Sequence, residues 1–217
     1  MRVGLPVVDM TTGLNAALGI LLALNERHRS GRGQFVEAAL FDSALSLLHP
    51  HAPNYFMTGD RPQPTGNAHP SIYPYDCFPT QGAPIYLAVG NDGQFAALCR
   101  HLECADLISD PRFKTNAQRS VHRNDLRALL EGILIDKDGV TIADELVRQG
   151  VPCSAVMAVD EALEHPQTRH RGMVVSIGKH YRGLGSPIRL HRTPASYRIA
   201  PPSFPAELET QSMGETT

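Results

Sequence analysis

From Asp9 to His28 the apolar positions Leu14, Leu18, Leu21 and Leu22 recur at i, i+4, i+7 and i+8, with Ala16, Ala17 and Gly19 small enough for close packing beside them. That period predicts a buried helix. Asp9 before Thr11 and Thr12 reads as its start; Arg27, His28 and Arg29 followed by Gly31 read as a cationic last turn and a stop. Gln34 to Leu40 reads as a short strand, and Asp42 to Met57 as a second helix open to interruption at Pro50 and Pro53. Between 60 and 74, Pro62, Pro64, Gly66, Pro70 and Pro74 crowd out any regular element, so the chain there is expected to run as a stiff, extended loop and to mark a domain boundary.

Beyond that loop, Tyr75–Phe78 and Ile85–Val89 read as strands joined by a turn over 79–82. Helices are predicted over 93–102, 118–135 and 141–149, with Gly150-Val151-Pro152 ending the last. Ser154–Val159 is strand-like, 160–165 a helical turn and Met173–Ile177 a further strand. From Ala200 onward, Pro, Ser, Glu and Thr dominate and predict a disordered tail. Alternating strands and helices define a mixed α/β (α+β) class.

Composition narrows the class further. In 217 residues, 42% apolar and 19% charged is a globular balance that excludes a wholly disordered chain or a long coiled coil. A net charge of −2 gives no general attraction to nucleic acid or to an anionic membrane. The longest strongly apolar stretch, Ala16–Leu24, is too short to cross a bilayer. No signal or transit peptide follows Met1, so a cytoplasmic location is expected. Cys77, Cys99, Cys104 and Cys153 show no C-x-x-C pair and read as reduced, mostly buried thiols.

Periodicity does not name a reaction, and most candidates have a structural explanation. His49-x-His51 has a metal-compatible spacing but no carboxylate or thiol nearby, so no metal is expected. The basic run from Glu26 to Gly33 suits a helix C-terminus. Gly90-Asn91-Asp92-Gly93 lacks dinucleotide-loop spacing and reads as a helix start capped by Asp92. Asp9 combines a helix-start position, where backbone N–H groups attract a carboxylate, with Thr11, Thr12 and Gly13 leaving room beside it. Taken alone, it is a routine cap.

The run from Asp9-Met10-Thr11-Thr12-Gly13-Leu14-Asn15 to Leu24, continuing through Ser30-Gly31-Arg32-Gly33-Gln34 to Phe41-Asp42, resembles family III CoA-transferases. That family takes in formyl-CoA transferase, carnitine CoA-transferase and alpha-methylacyl-CoA racemase. The likeness continues in Gly66-Asn67-Ala68-His69-Pro70, in Tyr86 to Phe95, in Asp110-Pro111-Arg112-Phe113, in Gly150-Val151-Pro152-Cys153 and in Pro201-Pro202. It implies part of a large CoA-transferase domain over 1–59, a linker and active-site loop over 60–74, a small α/β domain over 75–180, and a return segment and tail over 181–217.

By this resemblance Asp9 is the nucleophile. It attacks an acyl-CoA thioester to give an acyl-aspartyl anhydride; CoA thiolate then forms an enzyme thioester, and an acceptor carboxylate reverses the sequence. Coenzyme A and its acyl thioesters are thus substrates. Gly66, Asn67 and His69 match an active-site loop and are expected to bind substrate, His69 by holding a carboxylate or relaying a proton. The loop lacks formyl-CoA transferase's glycine run and is expected to be stiffer. The racemase branch supplies an alternative in which Asp9 is one acid/base of a proton-transfer pair. Because only eight residues precede Asp9, the likeness is expected to cover a central and C-terminal portion alone, truncated relative to the family. Most CoA contacts would then lie on an absent nucleotide-binding half. The expected partners are that half or a second copy in an interlocked homodimer, with no nucleic acid and no membrane. A non-catalytic remnant or interaction module is the remaining reading.

Overall fold

A computed structural model of the chain describes residues 4–179 and 181–202. The class is mixed α/β, with two compact units: residues 1–77 with 88–127, and residues 78–87 with 128–217. The tail expected beyond Ala200 lies almost wholly outside the described residues.

The first unit opens with helix α1 (Val7–Ser30), two residues earlier than its apolar period suggests. Pro6 stands at its N-cap, where a missing N–H costs nothing. At the other end Gly31 takes a φ of 73° and its N–H donates to the Arg27 carbonyl at 2.8 Å, the left-handed stop that glycine adopts without steric cost. The expected burial is corrected, because Leu14, Leu18, Leu21 and Leu22 are each more than half exposed. The chain's own cover is thin. The Asn15 amide donates to Ser43 Oγ at 3.2 Å, and residues 31–39 pass so near Gly19 that a Cβ there would sit 2.9 Å from Val36 Cγ1. By length and composition alone α1 is also long and apolar enough to cross a membrane. A count of uninterrupted apolar residues overlooks that, because single polar residues break the run.

The strand expected over Gln34–Leu40 does not form: 32–39 is irregular, with no ladder partner among the described residues. The second helix divides as its prolines suggest, into α2 (Leu40–Ser46) and α3 (His51–Thr58). Pro50 falls in the break, whereas Pro53 sits in the first turn of α3, where a backbone N–H would have no intrahelical acceptor and its lack costs the helix no hydrogen bond. Residues 60–74 carry no helix or strand. Strand β1 (Tyr75–Phe78) follows, then β2 (Ile85–Ala88), α4 (Asp92–His101) and the short α5 (Asp106–Ser109), for which no periodic signal exists. The single helix expected over 118–135 is two, α6 (Asn116–Val121) and α7 (Arg123–Leu134), broken at His122. Tyr73, Phe95, Leu98, Phe113 and Leu126 form this unit's core around a fully buried arginine, Arg119.

In the second unit, α8 (Gly139–Arg148) packs on β3 (Cys153–Ala155), which pairs antiparallel with β2 in the register Ile85↔Ala155 and Leu87↔Cys153. Ile85, Leu87, Leu130, Leu134 and Leu146 are fully buried there. The start of α8 is tied down twice. Asp138 caps it by accepting the Thr141 N–H at 2.9 Å, and Gly139 N–H donates to the Gln81 carbonyl at 3.1 Å. A Cβ on Gly139 would collide with the Ala83 carbonyl oxygen. Two short helices, α9 (Val159–Glu164) and α10 (Pro166–His170), lead to the antiparallel hairpin of β4 (Val174–Ile177) and β5 (Tyr181–Leu184). The sequence pattern shows α9 and β4 but neither α10 nor β5, the latter being half exposed and interrupted by Gly183.

Candidate functional site

Asp9 is the acidic residue of α1's first turn, at its third position. It lies inside the helix, so its reading as the cap is corrected; the N-cap is Pro6, and no side chain caps this end. The aspartate is exposed and forms no hydrogen bond or ion pair among the described residues. One turn on, the side of α1 at Gly13 is open, with no heavy atom within 4 Å of where a Cβ would stand. Thr12, between them in sequence, turns its hydroxyl inward to the Val8 carbonyl at 2.7 Å. The result is a bare carboxylate at the positive end of a long helix, with room beside it for an incoming group.

The loop of Gly66, Asn67 and His69 is built quite differently. Gly66, at φ 66°, starts a turn closed by Thr65 Oγ1 donating to the Ala68 carbonyl at 2.7 Å. His69 is held from three sides: its Nδ1 accepts the Ser71 and Ile72 N–H groups, both at 3.1 Å; its own N–H donates to the Tyr75 carbonyl at 2.8 Å; and its ring stacks on Tyr75. An Nδ1 that accepts two backbone donors requires the neutral ring with its proton on Nε2. Partial burial holds His69 below the usual imidazole range, reinforced by positive charge on His49, His51 and Arg123. His69 is therefore a neutral side chain whose free donor is Nε2. Asn116 and Arg123 brace the following residues, donating to the Ser71 carbonyl at 3.0 Å and the Pro70 carbonyl at 3.2 Å. Beside this loop lies a cleft of about 380 Å³ that includes His51, Asp60, Arg61 and Ser71. His69 and Asp9 belong to the same unit, but no hydrogen bond or ion pair joins them.

Four charged residues that periodicity does not single out, in two ion pairs, organise the first unit. Asp92 is not the cap of α4; Asn91 is, its Oδ1 accepting the Gln94 N–H at 2.9 Å. Asp92 instead accepts from Arg119 Nη2 at 2.7 Å. Arg119 also donates to the Tyr73 carbonyl at 2.8 Å and the Phe113 carbonyl at 3.0 Å, and lies 4.5 Å from the Phe95 ring centre. Arg127 pairs with buried Asp76 and donates to the Cys77 carbonyl at 3.2 Å. Burial pushes the nearby Tyr73 hydroxyl up to about 12 against the opposing pull of Arg127. The signal for such residues is the matching acid and base, which adjacency in sequence does not reveal.

Among the described residues no three His, Cys, Asp or Glu side chains are placed to hold a metal. All four cysteines are free thiols; Cys99 is buried and the others are partly exposed.

Residues 1–207 match CoA-transferase family III, and the chain belongs to it. It is 33% identical over 219 residues, 99% of the chain, to a succinate–glutarate CoA-transferase of Agrobacterium fabrum, of which it covers 54%. It is 34% identical over 175 residues to an acetyl-CoA:oxalate CoA-transferase of Acetobacter aceti, covering 81% of this chain and 45% of that one. The crystal structure of a CAIB/BAIF family protein from Brucella suis superposes with a TM-score of 0.76 at 33% identity, covering 97% of this chain and 56% of that one. The expected confinement of the likeness to a truncated central and C-terminal portion is corrected: the family match begins at residue 1 and takes in nearly the full chain. The chain spans about half the length of the curated relatives it matches.

Proposed function

We propose that this chain serves the exchange of coenzyme A between small carboxylic acids, with Asp9 as the nucleophile. The observation that carries the reading is the placement of Asp9: an exposed carboxylate in the uncapped first turn of α1, with open space at Gly13, within a family match over residues 1–207. The names of the relatives, succinate–glutarate and acetyl-CoA:oxalate CoA-transferases, point to short dicarboxylic acids as the substrate class.

In this mechanism an Asp9 carboxylate oxygen adds to the thioester carbonyl, and the C–S bond breaks to give an acyl-aspartyl anhydride and CoA thiolate. The thiolate adds to the aspartyl carbonyl and expels the donor acid, leaving CoA on Asp9 as a thioester. The acceptor carboxylate then attacks that thioester, and the returning thiolate carries off the new acyl group as acyl-CoA. Each addition places negative charge on an oxygen near a helix N-terminus, where the partial positive charge of the first-turn N–H groups favours it. Splitting the exchange into acyl transfers replaces one difficult encounter with several easier ones. Gly66, Asn67 and His69 are proposed to hold the substrate carboxylate, His69 through its Nε2 proton. The uncovered leucines of α1 support the homodimeric association expected of the family.

The test is to incubate the protein with succinyl-CoA, quench with hydroxylamine and map the adduct by mass spectrometry. A hydroxamate at Asp9 that vanishes in Asp9→Asn upholds the reading. Exchange of a substrate α-proton without labelling would identify the racemase chemistry instead, and neither outcome in a folded protein would remove both.

A further inference from the structure

The charge of the second unit is concentrated beyond what its fold needs. Between His165 and Ala200 there is no Asp or Glu, although the whole chain carries −2. Two of the arginines in this stretch are already partnered: Arg169 and Arg182 both bind Glu164, at 2.7 and 2.8 Å. Arg171 and Arg189 form no ion pair among the described residues, and together with His191 they line a cleft of about 320 Å³ with no carboxylate among its described lining residues. Like charges gathered in a concave site repel one another unless an anion enters, and a cleft of one sign focuses its field on such an anion.

The cleft is held open by its own framework. Ser186 N–H donates to Tyr197 Oη at 2.5 Å, tying the two sides of the 186–197 loop together, and Gly185 N–H donates to the Met173 carbonyl at 2.7 Å beside β4. Ile188 and Tyr197 supply an apolar wall next to the cationic groups. Two arginines and a histidine lining one cleft carry more donors than one carboxylate can accept, and guanidinium forks match the tetrahedral oxygens of a phosphoryl group. The apolar wall suits an organic body carrying it.

We infer that the cleft formed by Arg171, Arg189 and His191 is a binding site for a small phosphomonoester. This assignment does not rest on the acyl-transfer reading, because every residue involved lies between 171 and 197.

Isothermal titration of the full chain at low salt, with inorganic phosphate, adenosine 3′,5′-bisphosphate, adenosine and succinate, tests it. Saturable one-to-one binding of a phosphate-bearing probe is expected, weakened about tenfold or more by Arg171→Ala or Arg189→Ala, since each removes a charge-assisted contact. Arg189→Lys keeps the charge but loses the fork and should fall between. Tighter binding of the bisphosphate than of phosphate assigns the site to a nucleotide, and equal binding assigns it to the phosphate group alone; both uphold the proposal. No saturable binding of either probe overturns it, as does succinate binding as tightly as phosphate. Affinity unchanged in arginine variants with native circular dichroism also overturns it, and in that comparison Arg61→Ala in the other unit should have no effect.

Discussion

Replacing Arg119 with methionine, which keeps most of the side-chain volume and removes the charge, probes the centre of the first unit. The guanidinium is fully buried and supplies the partners of two main-chain carbonyls, those of Tyr73 and Phe113, whose own residues are 1% and 0% exposed. Neither carbonyl can be mutated away, so each would be left without its donor at a cost of about 1–3 kcal/mol. The Asp92 carboxylate contributes much less, because its side chain is 60% exposed and regains water when released, so this ion pair is worth about 0–1 kcal/mol. The loss expected for Arg119→Met is therefore about 3–5 kcal/mol, the range for breaking a buried charged cluster. Asp92→Asn should cost about 1 kcal/mol or less by the same accounting. Urea unfolding followed by circular dichroism measures both, read as a shift in midpoint at unchanged slope. If Arg119→Met stays within about 1 kcal/mol of the parent, or Asp92→Asn proves as damaging as Arg119→Met, the two carbonyls are not the seat of the stabilisation and the reasoning fails.

Gly139→Ala should destabilise the second unit by about 2 kcal/mol or more despite alanine's better helix propensity, because the added Cβ meets the Ala83 main chain, which cannot swing aside; a thermal melt checks this beside Gly132→Ala in α7, where the Cβ meets nothing and propensity alone should raise stability slightly. His69 provides a pH-dependent case. Its folded-state pKa lies below the ordinary value of 6.5, so its contribution to stability is complete above that pH and is lost as pH falls through the lowered value, when a protonated Nδ1 can no longer accept the Ser71 and Ile72 N–H groups. Faster hydrogen exchange at those two amides as pH falls below the ordinary imidazole range, abolished in His69→Gln, is the expected signature; exchange independent of pH after correction for the intrinsic rate would falsify it.

Local features proved legible where one residue decides the backbone. Gly31 ends α1, Pro50 divides α2 from α3, and the prolines and glycines of 60–74 exclude regular structure, each through its own steric limits. Asn91, rather than Asp92, at the start of α4 was open to confusion because both residue types cap helices, and the choice depends on which one Arg119 claims. The break at His122 was hidden for a similar reason. The apolar period runs through it, and only the packing of Arg119 on one side and Leu126 on the other shows that two short helices serve where one was expected.

Residue order alone was enough to determine the mixed α/β class, most of the elements and the family likeness centred on Asp9, because propensity, period and motif are properties of neighbours along the chain. Tertiary structure decided that the leucines of α1 lie uncovered, that His69 is a neutral acceptor of two backbone donors, and that Arg171, Arg189 and His191 line one cleft with no carboxylate among the described residues. Burial and charge pairing depend on what approaches from distant positions, and no local pattern encodes that approach.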